Sequence, residues 1–543
     1  MTATGVDPAH GARLVVVTAD TRWSRWQQRC VERLRALDGV QWVGWSVLAA
    51  AAQAPPDAPW RVLLRVERAR FAEAGDPDTM LDAPHGAPAP WHGAVADDGR
   101  TAHGGVRPDD ATLEAWRSLA ADVVVWLCAA PPRAGLAALA RWGVWVLSVD
   151  LRCADDAAAG SQAVLAAPHL CETALWDYAP TPPRCLYRST GAAATNSLAL
   201  TRRRALAKAE SFMARCAASL LACGSLPVMP QMADQGRAPP PQSAPPPSGW
   251  RLGTAMAARV AANRWQRLRA LDQWQIAYTL QPSLPWDDLR GWSFLVPPRE
   301  CFWADPMPLH HEGRHLIFFE QLPYRGKRGV LLAQALHADG RPDGAPQPVL
   351  AADIHLSYPF VFRADGALFM VPETAAWRQV RLYRCAALPG QWELDSVLLE
   401  GVNAVDATLH RGTDGRWWMW VSVVEEGAER GEELHLYHAA ELRGPWRAHA
   451  HNPLVSDIRC ARPAGPLRQT AHGLLRPAQD SAAAYGDHLV WRRIDRLDEH
   501  GYAESTVGEL RPRGRRAWRR MHTVAQDGAL RVVDVMVRRG RAW

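Results

Sequence analysis

Five carboxylates stand out in the second half of the sequence: Asp305, Glu320, Glu373, Asp406 and Asp480. Cleaving a glycosidic bond takes a carboxylic acid that keeps its proton near neutral pH and an ionised carboxylate on the other side of the scissile bond. Carboxylates gathered around one opening push one another's pKa values apart and so could supply that pair. Arg462 and His522 complete the polar set. Arg462 could instead form a structural ion pair with one of the acids. His522 could be a site ligand, a proton partner or simply a hydrogen-bonded histidine. Trp303, Trp377, Trp417, Trp418 and Trp420 are candidate stacking platforms for sugar rings. Alternation along a strand turns about half of such residues into packing, and Trp418 is expected to be core.

Other motifs point to less. His311-Glu312-Gly313-Arg314-His315 matches H-E-x-x-H, a zinc signature that needs both histidines on one face of a helix. Here it falls on a Gly-containing turn, so a solvated hairpin is expected and no metal site. From Arg511 onward the chain carries ten Arg against Asp527 and Asp534, a charge run read as a solvated outer face. After the first apolar run comes Thr18-Ala19-Asp20 in place of G-x-G-x-x-G, which leaves a dinucleotide site unsupported and no cofactor expected.

The elements that must hold the acids follow from a repeat. Trp303-Ala304-Asp305-Pro306 leads through Glu312-Gly313 to Ile317-Phe318-Phe319-Glu320, and Ser357-Tyr358-Pro359 leads through Asp365-Gly366 to Met370-Val371-Pro372-Glu373. In both, the Glu lies fifteen residues after its reference residue. Val405-Asp406-Ala407-Thr408 repeats the scheme through Asp414-Gly415, and further units begin near Arg462-Pro463 and His522-Thr523. The anchors 305, 358, 406, 462 and 522 are 53, 48, 56 and 60 residues apart. Successive hairpin units of this length read as propeller blades. Five blades are expected, with Asp305, Tyr358, Asp406, Arg462 and His522 ringing one end of the axis and Trp274 to Thr279 closing the circle.

Upstream the pattern changes. Short apolar runs (Leu14 to Thr18, Trp42 to Val47, Val62 to Val66, Asp122 to Cys128, Val144 to Val149) alternate with helical patterns such as Arg25 to Leu37, which predicts an α/β domain with a mainly parallel sheet. Gly75 to Pro108 reads as a long surface loop, and Ala192 to Leu221 as one or two closing helices. Six prolines between Gly236 and Gly249 mark an extended spacer. The expected domains are 1–232, a linker at 233–250, and a propeller over 251–543.

At 543 residues, 48% apolar and 22% charged, the chain is of ordinary globular composition, not disordered or fibrous. Only Lys208 and Lys327 are lysines, so the abundant Arg, Ala and Pro read as coding bias rather than function. No apolar run reaches the roughly 20 residues a membrane span needs. Ten scattered cysteines without a C-x-x-C pair suit free thiols, and no secretion signal is visible, so a cytoplasmic location is expected. The expected partner is a glycan or sugar-containing small molecule, not nucleic acid; the oligomeric state stays open.

A resemblance sharpens this. Phe302-Trp303-Ala304-Asp305-Pro306, Phe318-Phe319-Glu320, His355-Leu356-Ser357-Tyr358-Pro359-Phe360, Val371-Pro372-Glu373, Val405-Asp406-Ala407-Thr408-Leu409, Ala461-Arg462-Pro463-Ala464-Gly465 and Arg476-Pro477-Ala478-Gln479-Asp480 occur in order. The stretch from about Asp272 to Asp534 resembles the amino-terminal domain family of glucosamine inositolphosphorylceramide transferases, a five-bladed propeller related to glycoside hydrolase family 43. The resemblance implies Asp305 as a base, while Tyr358 and Asp406 stand where the family pattern departs; if the site is catalytic, Glu373 is expected as the acid and Asp406 as the residue that tunes both. It implies substrate contacts from Trp303, Glu320, Tyr358, Arg462, Gln479, Asp480 and His522. The upstream half resembles a formyltransferase-like, Rossmann-type domain, yet formyl transfer needs an Asn-x-His pair where this chain has Val146-Leu147-Ser148-Val149-Asp150. A degenerate scaffold or binding module is therefore expected there.

Overall fold

The computed structural model describes residues 11–49, 57–71, 76–100, 105–136, 139–226, 246–326, 328–425 and 428–540. The chain divides into two compact units, Met1–Ala262 with Glu425–Glu429, and Asn263–Val424 with Arg430–Trp543. Most of the proline-rich spacer, up to residue 245, lies outside the described residues.

In the first unit the main sheet runs, from edge to edge, Arg184–Ala192, Leu170–Asp177, Val144–Val149, Val123–Trp126, Ala12–Thr18, Val40–Val47 and Pro90–His92. The strands from Val144–Val149 to Pro90–His92 pair in parallel, and the last two on the other side are antiparallel. The sheet is therefore mixed. Leu14, Val16, Val125 and Leu147 pack one face, and Val15, Val17, Val124 and Val146 the other, as a doubly covered sheet requires.

Two expectations need correction here. Val62 to Val66 is not a strand but part of the helix Ala58–Phe71. Asp57 caps that helix by accepting from Trp60 N at 2.9 Å, while Val62 and Val66 face solvent and Trp60 is buried, a helical period. The stretch Gly75 to Pro108 is not one loop. It includes Pro90–His92, paired in parallel with Val40–Val47, and a hairpin of Val95–Arg100 with Val106–Pro108. The closing segment is two helices, Leu198–Ala209 and Phe212–Cys223. All ten cysteines are free thiols.

The second unit is five antiparallel sheets in sequence order. The first three blades begin with the inner strands Cys301–His311, Ser357–Ala364 and Ala404–Arg411. The fourth is built around Gly473–Asp480 and His488–Asp498. The fifth joins both ends of the unit. Ala270–Thr279 pairs along its whole length with Leu530–Gly540, whose other edge carries Trp518–Arg520 and Val524–Asp527. The first strand of this unit thus completes its last blade, which leaves no open seam.

The hairpins explain the fifteen-residue offset. Glu312-Gly313 and Asp365-Gly366 form two-residue turns in which both residues have positive φ, the geometry that suits the strand twist. The third blade has a five-residue loop between paired Arg411 and Trp417, one residue more in the whole hairpin path. The H-E-x-x-H match sits on the first of these turns, with His311 paired to Arg314.

Candidate functional site

The inner strand of each of the first three blades breaks at the same place. A bulge interrupts the ladder after Ala304, Ser357 and Val405, and the next residue has φ 53° in Asp305, 46° in Tyr358 and 56° in Asp406. Left-handed backbone at a non-glycine residue is costly, most of all for a bulky tyrosine, and a bulge re-aims its side chain. The hydrogen-bond partners of Asp305 come from the second and fifth blades, so this local strain delivers the anchor to the axis.

Before each bulge, Ala304 pairs with Glu320, Ser357 with Glu373 and Val405 with Ser422. In the fourth blade Gln479 N donates to Arg462 O at 2.9 Å, setting Gln479 in the corresponding place. In the fifth, His522 lies between Trp518–Arg520 and Val524–Asp527, and Asp534 Oδ1 accepts from both His522 N and Thr523 N at 2.9 Å. Anchors and neighbours are all buried: Asp305, Tyr358, Asp406, Arg462 and His522, with Glu320, Glu373, Ser422, Gln479 and Asp534.

Their hydrogen bonds cross between blades. Asp305 Oδ1 accepts from Thr523 Oγ1 at 2.9 Å and lies 3.2 Å from His522 Nε2, while Asp305 Oδ2 accepts from Tyr358 N at 3.3 Å. Asp305 N donates to Asp534 Oδ2 at 3.2 Å. Arg462 Nε donates to Asp406 Oδ2 at 2.6 Å, and Gln479 Nε2 reaches the same oxygen at 3.4 Å. The Tyr358 and Thr408 hydroxyls are 2.7 Å apart. Arg430 Nη1 donates to Glu373 Oε1 at 3.4 Å. Gly329 N donates to His355 Nδ1 at 2.9 Å, which turns His355 Nε2 toward Glu320 Oε1, 3.5 Å away. A side chain on Gly329 would meet Glu320 Oε1 at 2.8 Å, so only glycine fits there.

The acids titrate apart. Burial alone would raise Asp305, but the hydrogen bond and charge of His522 hold it below the ordinary carboxylate range. Burial lifts Glu373 to about 7, reinforced by the charge of Asp406. Burial and the negative charges of Asp305 and Glu373 lift Glu320 well above its usual value. Burial raises Asp406 despite Arg462. His522, opposed by burial but flanked by Asp534 and Asp305, is pushed up to about 10. Near neutral pH the site therefore sets an imidazolium and an ionised Asp305 beside Glu320 and Glu373, two carboxyls that burial biases toward the protonated form.

Asp305, His522 and Asp534 could also hold a metal ion, since their donor atoms lie within 4.8 Å of one another. Protonated His522 already supplies the positive charge between the two carboxylates.

Asp480 and the candidate stacking tryptophans fall elsewhere or act otherwise. Asp480 leaves the ring: it accepts from Ala482 N at 2.9 Å and faces His488, because adjacent strand residues point to opposite faces and Gln479 takes the axial one. Trp303 is core, its ring 5.0 Å from Phe319 and its Nε1 donating to Gln321 Oε1 at 3.0 Å. Trp417 joins the same core, as Trp418 and Trp420 do a smaller one, while Trp377 stacks on Arg381 at the surface. An exposed aromatic residue at the anchors is Tyr485, 47% exposed, with Arg462 Cζ 5.1 Å over its ring and the His522 ring 5.3 Å away. Sequence reasoning also missed Asp534, Thr523, Ser422, His355 and Arg430. Asp534 left a signal of its own, a lone carboxylate inside Val532-Val533-Asp534-Val535, and His355 and Thr523 stand within the motifs already singled out.

Fold and site together define the second unit as a closed five-bladed β-propeller with a buried, acid-rich cluster at its axis. Residues 298–531 match the family described as Glucosamine inositolphosphorylceramide transferase 1, N-terminal, and this segment of the chain is similar to it. Glucosamine inositolphosphorylceramide transferase 1 of Oryza sativa subsp. japonica is 34% identical over 232 residues, covering 40% of this chain and 30% of the relative. Its namesake from Arabidopsis thaliana is 29% identical over 226 residues, covering 40% and 29%. The matched segment thus spans less than a third of these relatives. Among solved structures, a GH43 β-xylosidase/α-arabinofuranosidase from a compost microbial metagenome is similar at a TM-score of 0.33 and 12% identity, covering 44% of this chain and 91% of that one. An exo-β-1,3-galactanase from Clostridium thermocellum is similar at 0.31 and 13%, covering 39% and 52%.

Proposed function

We propose that the propeller binds a glycan or glycoconjugate at its axis and acts there on a glycosidic bond. One observation carries this reading: a single buried cluster at the propeller axis holds Asp305, kept ionised by His522, together with Glu373, lifted to about 7. Glu373 donates its proton to the departing glycosidic oxygen, and Asp305 takes the proton of the attacking water or hydroxyl. Asp406 keeps Glu373 high, and Tyr485 offers an aromatic face to a sugar ring.

The test is a panel of glycosides with good and poor leaving groups. Glu373→Gln should lose turnover only where the leaving group needs a proton, and Asp305→Asn should lose it throughout. Unchanged turnover in both variants removes these residues from the mechanism.

A second reading, a sugar-binding module without turnover, is favoured by Asp305 itself, whose two oxygens already accept from Thr523, His522 and Tyr358 N. Buried Glu320 Oε1, Asp406 Oδ1, Gln479 Oε1 and Ser422 Oγ have no hydrogen-bond partner, and ligand hydroxyls would satisfy them. Measurable oligosaccharide affinity with no turnover of any glycoside selects this reading.

We read the first unit as a scaffold or binding module. Where formyl transfer would use Asn-x-His and an aspartate, Ser148 Oγ accepts from Trp176 Nε1 at 3.0 Å and Asp150 Oδ2 accepts from Ala163 N at 2.7 Å, capping a helix. Consumption of a folate formyl donor with an amino-sugar acceptor would reverse this.

A further inference from the structure

The helix Gly249–Arg269 has two apolar faces, and only one is covered. Leu252 and Met256 are buried beside Trp60, Val164 and Leu198, and Arg259 Nη1 ties the same side down through Val164 O at 2.6 Å and Thr195 O at 3.0 Å. Trp250, Trp265 and Leu268 are 70%, 57% and 47% exposed. Trp250, Ala261 and Leu268 are spaced by eleven and seven residues, whole numbers of turns to within about 20°. Trp265 lies about 60° round from them, with exposed Ala257 and Ala258 on the same side. The result is a stripe along the helix, opposite Leu252 and Met256.

Charge borders this stripe. Arg251 and Arg269 fall on one flank and Arg264 on the other, and Arg269 Cζ sits 4.1 Å over the Trp265 ring. The helix contains no Asp or Glu. The adjacent helix Ala58–Phe71 repeats the theme, exposing Val62 and Val66 beside Arg61 and Arg65. Its one acid, Glu67, is turned inward to Ser197 Oγ at 2.7 Å and Ala199 N at 3.0 Å.

A tryptophan-bearing apolar stripe rimmed by arginines is the pattern of a helix lying in a lipid interface, with indoles at headgroup depth and guanidiniums on phosphates. No helix among the described residues is long and apolar enough to cross a membrane, which leaves the in-plane mode for this one. We propose that Gly249–Arg269 docks the chain on an anionic lipid surface through Trp250, Trp265 and Leu268, with Arg251, Arg264 and Arg269 holding the headgroups. The charge complementarity selects an anionic bilayer over a neutral one. The inference is independent of what the propeller axis binds.

Co-sedimentation of the full chain with vesicles of phosphatidylcholine, alone or mixed with phosphatidylserine, tests it. Binding should be at least about tenfold stronger to the mixed vesicles and fall away near 1 M salt, where the Debye length is about 3 Å. Trp265→Ser/Leu268→Ser and Arg264→Gln/Arg269→Gln should each cost about tenfold in apparent affinity. All four side chains are exposed, so thermal unfolding should be unchanged. Equal binding to both vesicle types, wild-type binding by the stripe variant, or a preference for RNA with vesicles unbound would overturn the proposal. So would a change in the stripe variant's oligomeric state in lipid-free solution, which would assign the stripe to a second copy of the chain.

Discussion

His522 Nε2 lies 3.2 Å from Asp305 Oδ1, and on the other side of the same ring Nδ1 lies 3.0 Å from Asp534 Oδ2. Asp305 belongs to the first blade and His522 to the last, so this ion triad bridges the two blades beside the seam where Ala270–Thr279 closes the circle. Closure and site chemistry share the same residues.

His522→Gln should therefore destabilise the propeller heavily. Removing one member of a buried ion pair leaves the other charge uncompensated, at a cost of about 3–5 kcal/mol. Because the folded pKa of His522 is raised to about 10, its stabilisation is complete below about 6.5 and is lost as pH rises toward 10. The gap in unfolding free energy between wild type and variant should thus narrow across that window. A gap independent of pH would show that His522 is neutral in the fold.

Glu373 predicts the opposite slope. With its pKa raised to about 7, the folded state holds a proton that the unfolded state releases above about 4.5, so its contribution becomes progressively unfavourable between those values. Glu373→Gln should match wild type near pH 4 and be more stable at pH 8 by on the order of 3 kcal/mol. Thermal melts at the two pH values check this.

The Arg462–Asp406 bond, 2.6 Å and fully buried, should show strong coupling. Arg462→Met alone leaves Asp406 buried and unpaired, costing about 3–5 kcal/mol, whereas Arg462→Met with Asp406→Leu should recover much of that loss. A double-mutant cycle by urea unfolding with a coupling of about 1–3 kcal/mol is the expected result.

The seam gives a fourth expectation. Ala270–Thr279 is the third strand of the last blade, paired with Leu530–Gly540 over ten residue pairs. A chain beginning after Thr279 would expose that strand edge and should aggregate or lose its β-sheet signal. A chain beginning at Gly249 should keep it. Circular dichroism with size-exclusion chromatography distinguishes the two.

The blades were legible because each is a local device. The fifteen-residue offset from Asp305 to Glu320 and from Tyr358 to Glu373 reflects two-residue turns and a shared bulge, and both are set within some twenty neighbouring residues. Trp303 and Asp480 were not. Blade strands are covered on both faces, so alternation does not say which face meets the axis and which the next blade; a one-residue step separates Gln479 in the site from Asp480 outside it. Val62 to Val66 misled for a related reason, as a short apolar run suits strand or helix until its exposed side is known.

The sequence by itself determined the blade count, the closing strand and most of the polar residues that meet at the axis, because repeat spacing and turn chemistry act over short stretches of chain. Only the tertiary structure decided which of those acids keeps its charge. Desolvation and Coulomb interaction depend on distance in space, and the partners that settle the matter, His522 for Asp305 and Arg462 for Asp406, arrive from other blades.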